Sequence, residues 1–211
     1  MERKQYRLYI ITDRTWLDGR TLEEDTERAL RGGATLVQIR EKGVDEETYI
    51  ARARSIKAVC DRYGVPLIIN DNAAVAAAVG AAGVHLGASD GPIREARALL
   101  GPGAVIGATA KTVEAALAAQ AAGADYLGCG AVFGTTTKAD AKTITPEQFR
   151  AVAAAVSIPV VAIGGVDAGN AAALAGCGAA GLCAISSVYG RKDIEQAARA
   201  LRAAADGVCT G

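Results

Sequence analysis

The sequence predicts an α/β protein folded as one (β/α)8 barrel, and three observations predict it. Short, nearly continuous apolar runs alternate with helical patterns along the whole chain, and such runs are typical of parallel strands covered on both faces. Eight of these units follow one another at a repeat of about 25 residues. The loop after the first run, ITDRTWLDGR, lacks the G-x-G-x-x-G pattern expected of the alternative, an open doubly wound sheet. Eight units that close on themselves give a TIM barrel.

Each predicted strand is followed by a predicted helix. The strands span residues 6–13, 34–41, 66–71, 83–87, 104–110, 124–133, 159–166 and 179–186. TLEE and TPEQ are capping-box sequences at helix starts, and glycines mark four helix ends, at Gly33, Gly64, Gly101 and Gly123. Since no linker interrupts the alternation, we expect one domain over residues 1–211, with a disordered C-terminal tail from about residue 207.

Composition and charge exclude several classes of function. The chain has 211 residues, of which 51% are hydrophobic and 22% charged, and its formal net charge is zero. Without a basic stripe, nucleic acid is not an expected partner. No apolar run reaches the ~18 residues of a membrane span, and the N-terminal residues lack the apolar core of a signal peptide. We therefore expect a cytoplasmic protein with no membrane partner.

Cysteine and histidine content argues against disulfides and against a zinc site. Five cysteines without a C-x-x-C pair are typical of reduced thiols in the cytoplasm. Four of them are expected to be buried and inert, namely Cys60, Cys129, Cys177 and Cys183, and Cys209 is expected to be exposed in the tail. His85 is the only histidine and lies in a predicted strand, so we expect a core or rim imidazole with one hydrogen bond.

Two carboxylates follow neighbouring strands of the predicted barrel. Asn70 and Asp71 end the third strand, and Asp90 lies in the loop after the fourth. In this fold the active site lies at the carboxyl ends of the strands, and two close carboxylates repel unless a cation lies between them. Mg²⁺ prefers such a pair together with phosphate oxygens. The alternative is that Asp71 caps the third helix and Asp90 belongs to a turn before Pro92.

Three further segments indicate phosphate binding at the same end of the barrel. Gln38, Arg40 and Lys42 alternate along the second strand and therefore point the same way, and their cations suit a phosphate. The sixth strand leads into GAVFGTTTKADAK, where three hydroxyls precede Lys138. The seventh and eighth strands end in Gly164–Gly165 and Ile185–Ser186, where this fold often binds phosphate. Together these segments predict two phosphorylated substrates that meet beside a metal.

The ordered set of these motifs resembles thiamine-phosphate synthase. The motifs are Q-x-R-x-K at 38–42, N-D at 70–71, H-L-G-x-x-D at 85–90, T-x-T-K at 135–138, G-G at 164–165 and I-S at 185–186. The resemblance runs from YIITD at 9–13 to AISSVYG at 184–190. It implies a transferase that joins a hydroxymethylpyrimidine diphosphate to a thiazole phosphate. The diphosphate leaves first, and the thiazole nitrogen then captures the pyrimidinyl cation.

The resemblance also implies a role for each matching residue. The pyrimidine diphosphate would be held by Gln38, Ile39, Arg40, Glu41, Lys42, Asn70, Thr109 and Lys138. Of these, Arg40, Lys42 and Lys138 would be catalytic. Mg²⁺ would be bound by Asp71 and Asp90. The thiazole phosphate would be held by Thr135, Thr136, Thr137, Gly165, Ile185 and Ser186. The expected partners are two small phosphorylated substrates. The sequence leaves open whether the protein forms a homo-oligomer.

This sequence departs from the family pattern in the fifth strand and in the loop after the sixth. Thr109 stands where the family usually has serine, and Gly134 stands where it usually has proline. Thr109 keeps the hydroxyl, whereas Gly134 raises the cost of ordering its loop. Two rival functions are a thiazole tautomerase, which lacks the metal-binding aspartates, and a non-catalytic sensor of thiamine phosphate.

Overall fold

Eight parallel strands close into one barrel, in the order in which they occur along the chain. The computed structural model describes residues 1–134 and 143–209. The strands are β1 Leu8–Ile11, β2 Leu36–Ile39, β3 Leu67–Asn70, β4 Gly83–Leu86, β5 Val105–Thr109, β6 Tyr126–Gly130, β7 Val160–Ile163 and β8 Gly181–Ala184. The ring closes where β8 pairs with β1, with Leu182 opposite Leu8. The predicted (β/α)8 barrel is confirmed.

The strands are shorter than the apolar runs that predicted them. β2, for example, covers four of the eight residues predicted for it. It ends because the backbone N–H of Arg40 donates to the side-chain hydroxyl of Thr12, at 3.1 Å, rather than to a neighbouring strand. Arg40 and the residues after it therefore belong to the loop above the barrel.

Helices surround the barrel, but their distribution differs from the prediction. They are α1 Leu22–Arg31, α2 Glu46–Arg62, α3 Ala73–Val79, α4 Ile93–Leu100, α5 Val113–Ala122, α6 Pro146–Ala155, α7 Ser186–Tyr189 and α8 Ile194–Val208. Between β7 and β8 there is only a 3₁₀ turn, Ala171–Leu174, where we expected a full helix. The turn is followed closely by Gly176 and Gly178, both with positive φ, and these conformations cannot continue a helix.

The predicted helix boundaries agree with the structure at most positions. Thr21 with Glu24 and Thr145 with Gln148 form complete capping boxes. At the C-terminus, α8 continues through Val208, past the position where we expected the tail to begin. The carbonyl of the next residue, Cys209, accepts a hydrogen bond of 2.7 Å from Arg7. Residues 210–211 lie outside the described residues.

The core consists of two layers. The larger layer lies between strands and helices, and the smaller one fills the inside of the barrel with residues that include Tyr6, Tyr9 and Tyr126. Four cysteines are buried, as predicted, whereas Cys209 is half-buried rather than exposed. The backbone of Cys209 is held by Arg7, and this contact explains the difference. Among the described residues, none of the helices is long and apolar enough to cross a membrane.

Candidate active site

A cavity opens at the carboxyl end of the barrel, which is where this fold has its active sites. It brings together eight of the predicted site residues, from β2, β3, β5, β7 and β8. They are Gln38, Arg40, Asn70, Asp71, Thr109, Gly165, Ile185 and Ser186. A second, more polar cavity adjoins it and shares Arg40, with Glu41 and Lys42 also in its wall.

The two predicted metal ligands lie next to each other at the rim. The pKa of Asp90 is raised above its usual value, first by burial and then by the neighbouring carboxyl of Asp71. The side chain of Asp90 also accepts a hydrogen bond of 2.7 Å from the backbone N–H of Gly87, so Asp90 does have the turn role we considered. Asp71 does not cap the third helix, because the cap of α3 is Asn72.

Asp71 is held in an uncommon backbone conformation, with φ at +66°. Asn70, just before it, is fixed by the hydroxyl of Tyr49, which donates to the Asn70 carbonyl at 3.0 Å and accepts from the Asn70 N–H at 3.2 Å. The Asp71 carboxylate forms an ion pair with Lys42. The end of β3 thus delivers an amide and a carboxylate to the rim from a firmly anchored backbone.

The acidic pair fits Mg²⁺ but does not amount to a closed metal site. Among the described residues, no group of three or more histidine, cysteine, aspartate or glutamate side chains could hold a metal ion. Mg²⁺ is usually bound by one or two carboxylates, with water and substrate phosphate oxygens in the remaining positions. Asp71 and Asp90, in mutual contact, match that requirement.

Arg40 faces both cavities. Within the described part of the chain, its guanidinium forms no ion pair or hydrogen bond. Two other arginines nearby differ, because Arg14 and Arg52 both bind the carboxylate of Glu41, at 2.8 and 2.6 Å. Arg40 is therefore available for an anionic ligand.

The alternation of side chains at the end of β2 and in the residues that follow it separates the predicted residues into two groups. Gln38 and Arg40 point into the cavity. Ile39 is fully buried in the layer between strands and helices. The Glu41 side chain is 3% exposed and held by its two arginines. The structure therefore does not bring Ile39 and Glu41 into the central cavity, and any contact they make with substrate stays a prediction.

The loop after β7 lies against the loop after β6. Gly165 has φ at +66°, and a Cβ added there would meet the carbonyl oxygen of Gly134 at 2.2 Å. Its own carbonyl accepts a hydrogen bond of 2.7 Å from the side chain of Asn170. Because it has no side chain, Gly165 lets the two loops touch and exposes its backbone to the cavity. Gly134 has φ at +77°, which a proline could not adopt.

Replacing Gly165 with alanine should destabilise the protein by about 1–3 kcal/mol through strain and overlap. It should also weaken binding of a phosphorylated ligand at this loop. Gly176→Ala is the matched control, since Gly176 has a similar φ of +71° with nothing near its added Cβ. Melting temperatures and ligand affinity for both variants check this. Equal losses of melting temperature and of ligand affinity in the two variants would show that the contact between Gly165 and Gly134 is unimportant.

Four predicted residues cannot be placed. Thr135, Thr136, Thr137 and Lys138 lie outside the described residues, so their contacts with either substrate stay predictions. The residue that precedes them, Gly134, lies beside Gly165.

A hydrogen-bonded row of side chains was not predicted, and three of its members, Gln38, His85 and Thr109, line the cavity. It runs from Gln38 through Tyr9, Tyr126 and His85 to Thr109. We call it the interior polar chain. The two tyrosine hydroxyls are 2.8 Å apart, and His85 contacts Tyr126 through Nδ1 at 2.9 Å and Thr109 through Nε2 at 3.1 Å. Within the described residues, His85 thus makes these two hydrogen-bond contacts where a single one was expected.

Other cavity residues also escaped prediction. Lys111, Ser187 and Cys183 line it. Lys111 is a lone cation just after a strand, and no role could be assigned to it from the sequence. In the sequence alone, the two tyrosines of the interior polar chain have the pattern of ordinary core residues. A signal was present all the same, since tyrosine at an inward strand position needs a partner for its hydroxyl.

Comparison with known proteins agrees with this geometry. The family model for thiamine monophosphate synthase matches residues 8–188. A thiamine-phosphate synthase from Ruminiclostridium cellulolyticum is 45% identical over 196 residues, 93% of each chain, and one from Clostridium tetani is 43% identical, covering 92% of this chain and 93% of the relative. The structure of thiamine phosphate pyrophosphorylase from Pyrococcus furiosus superposes with a TM-score of 0.90 at 37% identity and 99% coverage of both chains. The chain therefore belongs to the thiamine monophosphate synthase family of transferases.

Proposed function

We propose that the protein joins 4-amino-2-methyl-5-(diphosphooxymethyl)pyrimidine to 4-methyl-5-(2-phosphooxyethyl)thiazole, releasing thiamine phosphate and diphosphate. One observation carries the proposal. A single cavity is lined by Arg40 and by Asp71, which contacts Asp90, on one side and by the Gly165 loop with Ser186 on the other. Such an arrangement suits two phosphorylated substrates that meet between the two sides.

The diphosphate would lie on the side of β2, β3 and β4. Arg40 binds it through paired N–H donors, and Lys42 adds a second positive charge beside Asp71. Lys138 is proposed as the third cation, from its place in the sequence. Asp71 and Asp90 would hold Mg²⁺, which supplies positive charge to the leaving diphosphate. Asn70, Gln38 and Thr109 would contact the pyrimidine part.

The reaction would proceed by ionisation, with no covalent enzyme intermediate. The bond from the pyrimidine methylene to the diphosphate oxygen breaks, and its electron pair leaves with the diphosphate. The thiazole nitrogen then supplies the pair that forms the new bond. Cys183 in the cavity wall is not a suitable nucleophile, because burial raises the pKa of its thiol. What the reaction needs is stabilisation of a leaving anion, and the charged side of the cavity offers it.

The thiazole phosphate would lie at the loops after β7 and β8. Backbone N–H groups near Gly165 and Ile185 and the hydroxyl of Ser186 would bind its oxygens, with Thr135, Thr136 and Thr137 completing the site. Removing the Ser186 hydroxyl with alanine should raise the KM for the thiazole phosphate about tenfold, the usual cost of one hydrogen bond to a charged group. The KM for the pyrimidine diphosphate should stay the same. A rise confined to the pyrimidine substrate would mean that the two sites are assigned the wrong way round.

A single-turnover assay separates this proposal from its rivals. With both substrates and Mg²⁺, a synthase releases diphosphate and thiamine phosphate within one turnover. A sensor would bind both ligands and release no diphosphate. A tautomerase would change the thiazole compound without consuming the pyrimidine diphosphate. Either of the last two results would overturn the proposed function.

A further inference from the structure

The hydrogen bonds of the interior polar chain must run in one common direction, and the proposed reaction does not itself require this. Both of its phenols are inside the barrel, and burial raises the pKa of Tyr9 and of Tyr126 well above the usual value. Each hydroxyl therefore keeps its proton at neutral pH and can donate only one hydrogen bond. For every one of these buried protons to be used, the bonds of the chain must all run in one direction.

The first contact of the chain decides that direction. The orientation assigned to the Gln38 amide turns its nitrogen, which can only donate, toward the Tyr9 hydroxyl, and the direction of the chain is inferred from that orientation. Tyr9 must then donate to Tyr126, and Tyr126 must donate to Nδ1 of His85. His85 consequently carries its proton on Nε2 and donates it to the hydroxyl oxygen of Thr109.

The packing around Tyr126 holds the chain in this arrangement. Gly107, its partner in β5, has no side chain, and a Cβ there would lie 2.2 Å from the Tyr126 ring. The ring of Tyr6 packs beneath it at a centroid distance of 5.0 Å. Tyr126 therefore has little room to turn its hydroxyl away from Tyr9 and His85.

We propose that the interior polar chain fixes the hydrogen-bonding polarity of the pyrimidine subsite, leaving an acceptor oxygen on Gln38 and a hydroxyl donor on Thr109. This inference rests on the proposed function, because its ligand is the aminopyrimidine substrate. An aminopyrimidine carries an amine that donates and ring nitrogens that accept, so it complements the two ends. Tyr9, Tyr126 and His85 are positioning residues that act through Gln38 and Thr109. In the reverse polarity the two ends would offer a donor and an acceptor in exchanged places.

The tautomer of His85 tests the polarity directly. Because the chain contains one histidine, ¹⁵N-histidine labelling gives the NMR signals of a single imidazole. At pH 8 the ligand-free protein should show a protonated Nε2 and an unprotonated Nδ1. Protonation of Nδ1, alone or together with Nε2, would overturn the inference. This measurement needs no turnover, so it stands apart from the test of the proposed function.

A pair of conservative variants tests the positioning role. Tyr126→Phe breaks the chain and should raise the KM for the pyrimidine diphosphate about tenfold, with the KM for the thiazole phosphate unchanged. Tyr6→Phe is the matched control, since it removes a buried phenol hydroxyl from the same layer but outside the chain. It should leave both KM values within about twofold of the parent protein. Equal increases for both substrates in Tyr126→Phe would show a purely structural role and overturn the inference. If Tyr126→Phe fails to fold, the tautomer of the parent protein still decides.

Discussion

Replacing Asp71 and Asp90 together should cost little more activity than replacing either one alone. If both carboxylates bind one Mg²⁺, each single change already removes a ligand from the same ion, so the losses are not additive. We expect a loss of activity of about 10²-fold for each single variant, which is the loss typically found when one charge-stabilising group is removed. The fold loss of activity in the double variant should be far smaller than the product of the two single losses. Higher Mg²⁺ should restore part of the activity in each single variant.

Asparagine is the substitution of choice for this test. It tolerates the positive φ of Asp71 and keeps an acceptor for the Gly87 N–H that binds Asp90. Asp61→Asn on α2 is the matched control, because Asp61 is an exposed carboxylate that, among the described residues, pairs with Lys57 on its own helix. Without metal, Asp90→Asn should melt no lower than the parent protein, because burial and Asp71 both raise the pKa of Asp90 and so disfavour its charged form. Additive losses that do not respond to Mg²⁺ would refute a shared ion.

Arg40→Ala should lower kcat by about 10²–10³-fold while leaving the fold intact. The guanidinium faces the cavity without a partner in the described structure, so its removal leaves no buried charge uncompensated. Its interaction strengthens as negative charge builds up on the departing diphosphate, which places the effect on kcat rather than on KM alone. Steady-state kinetics and melting temperature together check this.

Two further variants sharpen the result for Arg40. Arg40→Lys keeps the charge but loses the paired donors, so it should recover only part of the activity. Arg54→Ala changes the net charge equally, but Arg54 is exposed on α2 and reaches the carbonyl of Ala78. It should leave kcat unchanged. Arg40→Ala with a kcat within about fivefold of the parent protein would remove Arg40 from the catalytic set.

The barrel could be predicted from the sequence because its strands are buried on both faces and therefore read as apolar runs. The site residues at strand ends could be predicted for a related reason: Asp71 and Arg40 stand out as charges that directly follow such runs. The 3₁₀ turn between β7 and β8 could not, since an alanine-rich stretch suits a helix and only the glycine conformations at its end decide against one.

The interior polar chain was missed for a physical reason. Tyr9, His85 and Tyr126 come from β1, β4 and β6, and their contacts exist only once the barrel closes. The ion pairs of Glu41 could not be predicted either, because Arg14 and Arg52 approach it from other positions in the sequence. Local pattern identifies a residue's element and face, whereas pairing across the barrel depends on the register of strands far apart in the chain.

The proposed synthase reaction is tested most directly by the amount of each product formed as a function of Mg²⁺ concentration. The parent protein is given both phosphorylated substrates, and thiamine phosphate and diphosphate are measured in the same reaction. We predict equal amounts of the two products, a rate that rises to saturation with Mg²⁺, and no product when a chelator is present. Turnover that does not depend on the metal would refute the proposed metal-assisted reaction, because the acidic pair of Asp71 and Asp90 would then have no part in releasing the diphosphate.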